Sequence, residues 1–545
     1  MNRSALQGLK SLLLSALVAT VTARHSTHLL AEPPTPTATA TVTATPTMTA
    51  TKTPTAPPTY TPSLTPTVEY TATPTATPTP LFSGQRFNFL IIIADDQRAD
   101  SVGPYMPKTQ ARVFDQGVQF SKAYITTPEC CPSRASMFTG QYASSNGVRE
   151  NSYPLLNPTI FNELSNAGYL TGMLGKYLNT WNGSPRPEFD LWAVFPFGAG
   201  YFDNPILSRV GRVTRERGYQ LDILSRDAFS FLERAAREQR QFALIYSSFA
   251  PHEPAIAHPR DRSLYRDLPP FRPPNFGVTA GKPAWVQRAG RMTTEKAKFV
   301  DVMRRRQLQT IWSLDRAVDG LVTKLEQLGL DQTTVIIYLS DNGLLWGEFG
   351  LESKSCAYEP SIRVPMAVRL PRGLVAPRVE SKLVANIDLA PTLRDLAQLG
   401  SDPKSDGASL AGLMIDTDAP WREHLMIEGF RNTETRSPFR AVHRGDAIFI
   451  ENGGDIDELY DLNSDPYQLR NVAADQGYSD LSKDMRARLK ELDNQVPIRA
   501  VVSPLEHQRA QRQVSSWKIA LRRCRISKRP TACNFNRVWN RLYPR

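Results

Sequence analysis

The amino-acid sequence predicts an α/β protein in which a mostly parallel sheet is covered by helices on both faces. A small α+β unit with an antiparallel sheet follows it. Short, almost continuous apolar runs recur along the chain, as is typical of parallel strands buried on both faces. Longer helical patterns separate these runs. After residue 440 the pattern changes to short strands divided by Gly-Asp turns.

Each predicted strand of the parallel sheet is followed by polar residues. The apolar runs are 87–93, 170–174, 242–249 and 334–339, and the helical patterns between them are 159–168, 221–240 and 294–330. In the smaller unit, strand patterns at 439–444, 447–451 and 458–462 precede a helix at 479–492. Ligands bind at the carboxyl ends of strands in open α/β sheets, so this edge is the candidate site.

We expect five segments along the 545-residue chain. They are a signal peptide (1–23), a disordered Pro/Thr-rich linker (24–81), a main domain (82–438), an antiparallel-sheet subdomain (439–500) and a basic extension (501–545). The first segment has a basic start and an apolar run too short to span a bilayer. An uncleaved anchor is the alternative for it. The linker cannot bury a core, and it is either a stalk or a bare spacer.

Charge and cysteine content exclude several classes of protein. The net charge is +12, but residues 501–545 contain eleven Lys and Arg against the single acid Glu506. The rest is therefore close to neutral, and a nucleic-acid-binding protein is not expected. Five cysteines are too few for a disulfide scaffold, and their spacing fits no zinc site. Cys524 and Cys533 lie close together and could form a disulfide in an oxidising compartment.

Acidic residues follow two of the predicted strands. Asp95 and Asp96 come directly after the first, and Asp341 and Asn342 come after the last. Adjacent carboxylates at the end of a buried strand are costly unless they are paired or bind a metal. Carboxylate and amide oxygens are hard ligands that suit Ca²⁺ or Mg²⁺. For Asn342, a turn role before Gly343 is the alternative.

A short helix is predicted to begin at or just after Cys130. Pro132 suits the first turn of a helix, and Gly140 suits its end. Unpaired amides and the helix dipole favour negative charge at a helix N-terminus, so a thiol there would be activated. The alternative is a buried pair, Cys130 and Cys131, that opens an ordinary helix.

The stretch 130–140 has the pattern Cys-x-Pro-Ser-Arg-x-x-x-Phe-Thr-Gly. It resembles the signature of the type I sulfatases, which belong to the alkaline-phosphatase-like superfamily. The doubled Cys and the run Gly-Lys-Tyr-Leu-Asn at 175–179 are similar to the branch of N-acetylglucosamine-6-sulfatases and arylsulfatases. The resemblance covers 87–492 and implies an alkaline-phosphatase-like α/β/α sandwich.

The resemblance implies a nucleophile and a metal site. Cys130 matches the residue that is oxidised to formylglycine (3-oxoalanine), whose hydrate attacks sulfur next to the metal and divides one hard step into two. The positions that match the family's ligands for one divalent cation, Ca²⁺ first and Mg²⁺ second, are Asp95, Asp96, Cys130, Asp341 and Asn342.

Four further residues match catalytic positions of the family. Arg134 matches the residue that orients the hydrated aldehyde. Lys176, His252 and Lys354 match positions that contact the sulfate or the leaving oxygen, and His252 is the candidate general acid.

Two positions depart from the family pattern. Leu178 stands where many sulfatases have His two residues after the motif lysine, and Phe349 stands where bacterial relatives often have His. Asn179 is the residue that we expect to substitute in part. We expect these departures to change the substrate pocket and to leave the nucleophile and the metal ligands in place.

The predicted function is hydrolysis of sulfate esters, on a sulfated small molecule or a glycan such as a glucosamine-6-sulfate. A formylglycine-generating enzyme would act during maturation. We expect a secreted or cell-surface location without a transmembrane segment, with surface association through the stalk or the basic extension. The alternatives are a phosphodiester or phosphonate monoester hydrolase on the same fold, and a non-catalytic glycan-binding surface protein.

Overall fold

The part of the chain that the structure describes begins at residue 82. The structure is a computed structural model, and it describes residues 82, 84–179, 181–198, 202–210, 212–431, 433 and 436–496. The predicted signal peptide, the linker, the basic extension and the cysteine pair Cys524 and Cys533 lie outside the described residues. Within these residues, no helix is long and apolar enough to cross a membrane.

Sixteen strands are found in the described part of the chain. In chain order they are β1 Asn88–Asp95, β2 Val118–Phe120, β3 Ala123–Tyr124, β4 Leu170–Gly175, β5 Leu191–Val194, β6 Ile206–Arg209, β7 Arg212–Arg215, β8 Phe242–Pro251, β9 Thr334–Ser340, β10 Met366–Arg369, β11 Arg378–Glu380, β12 Val384–Ala385, β13 Leu425–Gly429, β14 Phe439–His443, β15 Ala447–Asn452 and β16 Glu458–Asp461. The four long predicted strands correspond to β1, β4, β8 and β9. Each of these runs one or two residues further than the apolar pattern.

The helices of the described residues vary widely in length. The α-helices of four residues or more are Val102–Tyr105, Cys130–Thr139, Ala143–Asn146, Ile160–Asn166, Gln220–Glu238, Ala284–Ala289, Thr294–Gln327, Glu359–Ile362, Leu389–Leu396, Ala411–Ile415 and Ser479–Gln495, and Gln110–Phe114 is a π-helix. The three helices predicted within the main domain are all present, with ends that differ by a few residues.

Among the described residues, ten strands form one sheet in the order β11-β2-β10-β9-β1-β8-β4-β5-β6-β7. The central strands β9, β1, β8, β4 and β5 are parallel to their neighbours within this group. Antiparallel pairs occur toward both sides, where β10 pairs with β9 and β6 pairs with β5. The predicted, mostly parallel sheet is confirmed.

Strand β1 lies in the middle of the sheet and is buried on both faces. Alternate side chains of β1 pack into two separate hydrophobic cores, one on each face of the sheet. Phe89, Ile91 and Ile93 belong to the first core, and Leu90, Ile92 and Ala94 belong to the second. The helices Gln220–Glu238 and Thr294–Gln327 cover the second face, and Cys130–Thr139 and Ile160–Asn166 cover the first. The fold is therefore an α/β/α sandwich, as predicted.

The smaller antiparallel sheet has the order β13-β14-β15-β16, and the helix Ser479–Gln495 packs against it. The patterns at 439–444, 447–451 and 458–462 correspond to β14, β15 and β16. Strand β13 was not predicted; it lies before residue 439 and pairs with β14 from Leu425 opposite His443. The predicted α+β unit is confirmed with one additional strand.

A buried lysine links the larger part of the chain to the small sheet. Lys282 Nζ donates to Tyr460 Oη at 2.6 Å and to the Gln468 carbonyl, and it lies 4.0 Å from Glu458 Oε2. The rings of Phe349, Tyr358 and Tyr460 surround the ammonium group at 4.1–4.7 Å. Burial lowers the pKa of Lys282 to about 8, and the charge of Glu458 offsets this only in part.

This lysine should make stability depend on pH. Between about pH 8 and pH 10.4 it has lost its proton in the folded protein but keeps it in the unfolded chain. The unfolded state then binds more protons, so stability rises with pH. We expect the wild type to gain about 2 kcal/mol in free energy of unfolding relative to Lys282→Met between about pH 7.5 and 9.5.

Urea unfolding at several pH values across this window measures the difference. Buried thiols titrate with the opposite sign, but they do so in both proteins, so the comparison isolates Lys282. Lys298→Met, at an exposed lysine of the long helix, is the matched control and should follow the wild type. If the free energies of unfolding of the wild type and Lys282→Met changed with pH in parallel, the lowered pKa of Lys282 would be contradicted.

Candidate active site

Neighbouring parallel strands bring the predicted residues to one edge of the sheet. β9, β1, β8 and β4 lie side by side, and β1 and β9 end at the same level with Ala94 paired to Ser340. Because the strands are parallel, the residues at their carboxyl ends converge. Those residues are Asp95, Asp96, Lys176, His252, Asp341 and Asn342.

The helix Cys130–Thr139 begins at this edge. Glu129 is its N-cap, and Gly140 ends it in the left-handed region at φ 70°. Cys130 Sγ lies 3.6 Å from Asp95 Oδ1 and 2.9 Å from Lys354 Nζ. Cys131 instead packs in the core and accepts a hydrogen bond from the Asn179 N–H at 3.0 Å. The two cysteines therefore have different surroundings, and Cys130 alone of the pair contacts the strand-end acids.

The thiol of Cys130 is not activated, contrary to the expectation from its helix position. Burial raises its pKa to about 12, and the opposing charges of Lys176 and Lys354 do not compensate. Loss of hydration outweighs the helix terminus because the side chain is almost completely enclosed. The unmodified thiol is thus a poor nucleophile at neutral pH.

Oxygen atoms of the acidic residues converge on the same point. Asp96 has left-handed backbone geometry at φ 66°, which is unusual for a residue with a side chain. Its backbone N–H donates to Asp341 Oδ1 at 3.1 Å, and its Oδ1 accepts from Asn342 Nδ2 at 2.7 Å. The buried Asn342 Oδ1 has no hydrogen-bond partner among the described residues.

This donor set fits a hard divalent cation. Asp95, Asp96, Cys130 and His252 offer ligand atoms within 4.8 Å of one another. Asn342 Oδ1 adds an uncommitted oxygen atom, and metal binding would satisfy it. The carboxylate oxygens are those that Ca²⁺ and Mg²⁺ prefer.

Arg134 lies one turn along the helix from Cys130 and is fully buried. Its Nε donates to Asp341 Oδ2 at 2.8 Å, and its Nη1 donates to the Lys176 carbonyl at 2.8 Å and to Ser247 Oγ at 2.5 Å. These bonds tie the helix Cys130–Thr139 to β8 and to the residues that follow β4 and β9. Arg134 thus sets the position of Cys130 relative to the sheet.

Two lysines complete the charge balance of the site. Lys176 Nζ lies 2.5 Å from Asp95 Oδ2, and Lys354 Nζ contacts Asp96 Oδ1. Burial raises the pKa of Asp95, and the charge of Asp341 adds to this. Asp341 is also buried, but Arg134 and the two lysines hold its pKa below the usual range. Three cations thus face three carboxylates in a buried space.

His252 lies at the mouth of the site. It follows β8, and its Nε2 is 3.6 Å from Asp96 Oδ2. Its ring stacks on Phe249 at 4.8 Å, and its Nδ1 bonds to the Glu253 carbonyl at 2.8 Å. The side chain is 29% exposed, which sets it apart from the buried lysines. A group in this position can exchange protons with solvent and with a bound molecule.

The two departures from the family pattern are buried. Leu178 and Phe349 have no exposed surface, and the Phe349 ring packs 4.3 Å from Tyr358. The side-chain oxygen of Asn179 lies against Gly198. Whether Asn179 substitutes for the missing histidine stays a prediction.

Ser247 was missed by the sequence interpretation. Its Oγ accepts from Arg134 and donates to the Lys176 carbonyl at 2.6 Å. The signal was present, because Ser247 and Ser248 interrupt the otherwise apolar run 242–249. Polar residues within a buried strand require partners, which here belong to the site.

An α/β/α sandwich with buried acidic and cationic side chains at the carboxyl edge of its sheet is suited to a hydrolase that acts on anionic esters. Residues 87–399 match the family model described as Sulfatase. Residues 347–495 match the model described as N-sulphoglucosamine sulphohydrolase, C-terminal. The chain therefore belongs to the sulfatase family.

Individual relatives agree with this assignment. The chain is 31% identical over 376 residues to an extracellular sulfatase SULF-1 homolog of Drosophila melanogaster, covering 64% of this chain and 34% of that protein. It is 30% identical over 454 residues to the N-acetylglucosamine-6-sulfatase of Capra hircus, covering 71% and 80%. The predicted sulfatase family and its N-acetylglucosamine-6-sulfatase branch are confirmed. The chain spans a third to a half of the length of the extracellular relatives that it matches.

A solved structure titled as a complex with D-glucosamine-2-N,6-O-disulfate superposes with a TM-score of 0.69. The superposed region covers 76% of this chain and 98% of the solved chain, and the two are 23% identical in sequence. At this level of identity the likeness shows the fold.

Proposed function

We propose that this protein hydrolyses a sulfate ester on a glucosamine-6-sulfate-like sugar, using formylglycine derived from Cys130 and one divalent cation. The observation that carries the proposal is the convergence of Cys130 with three carboxylates and three cations at one edge of the sheet. Sulfate-ester hydrolysis needs a nucleophile, positive charge for the sulfuryl oxygens and an acid for the departing alcohol. The cluster offers a candidate for each.

The cation would be held by Asp95, Asp96, Asp341 and Asn342, with residue 130 facing it. All four supply buried oxygen atoms at two adjacent strand ends. This oxygen set suits Ca²⁺, with Mg²⁺ as the second candidate. When bound, the cation supplies Lewis acidity toward the sulfuryl group.

The cationic side chains have roles that follow from their positions. Formylglycine at residue 130, once hydrated by water, would supply the hydroxyl oxygen that bonds to sulfur as the bond from sulfur to the departing alcohol breaks. Lys354, 2.9 Å from Cys130 Sγ, and Lys176, beside Asp95, are placed to stabilise the sulfuryl oxygens while negative charge moves to the leaving oxygen. Arg134 orients residue 130 through the helix. His252, at the mouth, donates a proton to the departing alcohol.

Maturation and location complete the proposal. Cys130 is the residue that a formylglycine-generating enzyme would oxidise during maturation, and its raised pKa as a thiol is consistent with a role only after conversion. The predicted signal peptide and the relatives named as extracellular support a secreted or cell-surface location. The linker and the basic extension are the candidates for surface association.

A substrate panel tests the proposed function. The protein is co-expressed with a formylglycine-generating enzyme, and the peptide across Cys130 should lose about 18 Da on conversion. We expect hydrolysis of N-acetylglucosamine 6-sulfate and of an aryl sulfate. The same preparation should be at least about 100-fold less active on a phenylphosphonate monoester, because a phenyl group replaces one of the three terminal oxygens that the cationic side chains would stabilise.

The panel also separates the alternatives. Higher activity on the phosphonate than on either sulfate would make the protein a phosphonate hydrolase. Converted protein that binds sulfated glycans but releases no sulfate would make it a binding protein.

A further inference from the structure

A narrow cleft lies beside the start of the nucleophile helix. It is formed by the segment before the helix, by the loop after Lys354 and by the end of β13. The residues that line it include Glu129, Arg149, Ser355, Phe430 and Arg431. None of the roles proposed above uses these side chains.

Two residues of the cleft are chain neighbours of site residues, and the Glu129 carboxylate is close enough to the Lys354 ammonium group for their charges to interact. Glu129 directly precedes Cys130, and Ser355 directly follows Lys354, whose Nζ lies 2.9 Å from Cys130 Sγ. A molecule with its sulfate at residue 130 would therefore bring atoms only a few bonds from the sulfate to this cleft. For a sugar sulfate those atoms belong to the sugar ring.

Glu129 does not use its carboxylate to cap the helix that it precedes. It is the N-cap of the helix Cys130–Thr139, but its side chain makes no capping hydrogen bond; its backbone carbonyl accepts from Ser133 N–H at 3.0 Å instead. Any residue type supplies that carbonyl. A carboxylate that is 4% exposed is costly to bury, so a use for it is required.

The two carboxylate oxygens of Glu129 differ in their hydrogen-bond partners. Oε1 accepts from Ser355 Oγ at 3.1 Å and lies 3.5 Å from Arg431 Nη1. Oε2 is buried and has no hydrogen-bond partner among the described residues. Thr127 Oγ1 and Arg149 Nε, on the same cleft, also have none there. Three uncommitted polar atoms around one cleft indicate a polar ligand.

We propose that Glu129 is a specificity-determining residue whose Oε2 accepts a hydrogen bond from a donor on the sugar that carries the sulfate. The inference rests on the proposed function and names the group that distinguishes a sugar sulfate from other sulfate esters. The donor is a ring hydroxyl or the nitrogen at C2, since both present the same chemistry to a carboxylate. Arg149 and Arg431 line the same cleft and supply donors for the acceptors of that sugar.

The substitution Glu129→Gln tests this with little change in shape. Arg431 can only donate, so the amide oxygen takes the Oε1 position and the amide nitrogen replaces Oε2. The amide nitrogen cannot accept a hydrogen bond, so the hydrogen bond from the sugar's hydroxyl or nitrogen donor is lost. We expect kcat/KM on N-acetylglucosamine 6-sulfate to fall about 10- to 100-fold, since hydrogen bonds to charged groups contribute this much. An aryl sulfate lacks these donors, so the loss of kcat/KM that Glu129→Gln causes on an aryl sulfate should be at least tenfold smaller than its loss on the sugar sulfate.

Substrate analogues provide a second measurement that needs no variant. Analogues of the 6-sulfate that lack the donor at C2, C3 or C4 are compared with the parent sugar. With the wild type, removal of one donor should cost about tenfold in kcat/KM. With Glu129→Gln, removal of the same donor should cost less than about twofold, because the partner is already lost.

Two controls complete the design. Glu150→Gln changes a neighbouring carboxylate that does not line the cleft, and it should keep the wild-type ratio between the two substrates. Glu129→Asp retracts the carboxylate and should behave like Glu129→Gln if the latter fails to fold. Equal losses on both substrates, or three analogues hydrolysed as fast as the parent, would overturn the inference while sulfatase activity stands. A wild type that cleaves neither sulfate would overturn the proposed function and this inference with it.

Discussion

Cys130→Ala is expected to remove sulfate-ester hydrolysis and to lower the turnover number by at least about 10⁴-fold. The residue begins the helix at the carboxyl edge of the sheet, and its Sγ is within reach of Asp95 and Lys354. Alanine cannot be converted to formylglycine and offers no oxygen to sulfur. Initial rates on an aryl sulfate and on N-acetylglucosamine 6-sulfate measure the loss, and circular dichroism verifies folding.

Cys131→Ala is the matched control. Cys131 is as buried as its neighbour, but its Sγ faces the core and accepts from the Asn179 N–H. We expect this variant to retain most of its activity and to lose about 1–2 kcal/mol of stability from the smaller side chain. Full activity of Cys130→Ala would exclude residue 130 as the nucleophile. Equal inactivation of both variants by unfolding, visible in the melting temperature, would call for Cys130→Ser as the replacement test.

The central strands and the candidate site could be predicted because both depend on local patterns. A strand buried on both faces needs a continuous apolar run, as in β1, and its carboxyl end is where a parallel sheet binds ligands. Asp95 and Asp341 could therefore be placed together without knowledge of the structure. The helix at Cys130 followed equally from Pro132 and Gly140.

The short strands could not be predicted because pairing rather than sequence pattern defines them. Strand β12 has only two residues, and β2 and β11 have three each, too few to show a period. Strand β13 is buried throughout and shows no alternation of buried and exposed residues. Long-range contacts are equally hidden: the serines within the run 242–249 indicated a buried polar partner but not that Arg134 donates to Ser247, and the uncommitted oxygen of Glu129 has no local signature.

The raised pKa of Cys130 is another property that the sequence could not predict. A helix N-terminus lowers the pKa of a thiol that keeps some hydration, and the sequence indicated the terminus but not the burial. Once the side chain is enclosed, loss of hydration dominates. For a sulfatase this result is consistent with a residue that acts after conversion and not as a thiolate.

Removal of divalent cations is expected to inactivate the converted enzyme, and Ca²⁺, or less effectively Mg²⁺, should restore it. The reason is the oxygen set at two strand ends, with Asn342 Oδ1 uncommitted among the described residues. Binding should also stabilise the fold, by about 2.7 kcal/mol when the free ion is at 100 times its Kd. The measurements are initial rates after chelation and the melting temperature with and without added Ca²⁺.

Asp341→Asn should reproduce the effect of chelation while the cation is present. The amide oxygen can still accept from the Asp96 N–H, but the amide nitrogen would face Arg134 Nε and Lys176 Nζ, which are also donors. We expect activity to fall on the order of 10³-fold and the Ca²⁺-dependent rise in melting temperature to disappear. Asp315→Asn is the matched control, because Asp315 is an equally buried carboxylate that accepts from Thr109 away from the site. It should lower the melting temperature but leave the Ca²⁺-dependent rise intact. A metal-free preparation, verified by elemental analysis, that turns over at the normal rate would show that the cluster does not act through a cation.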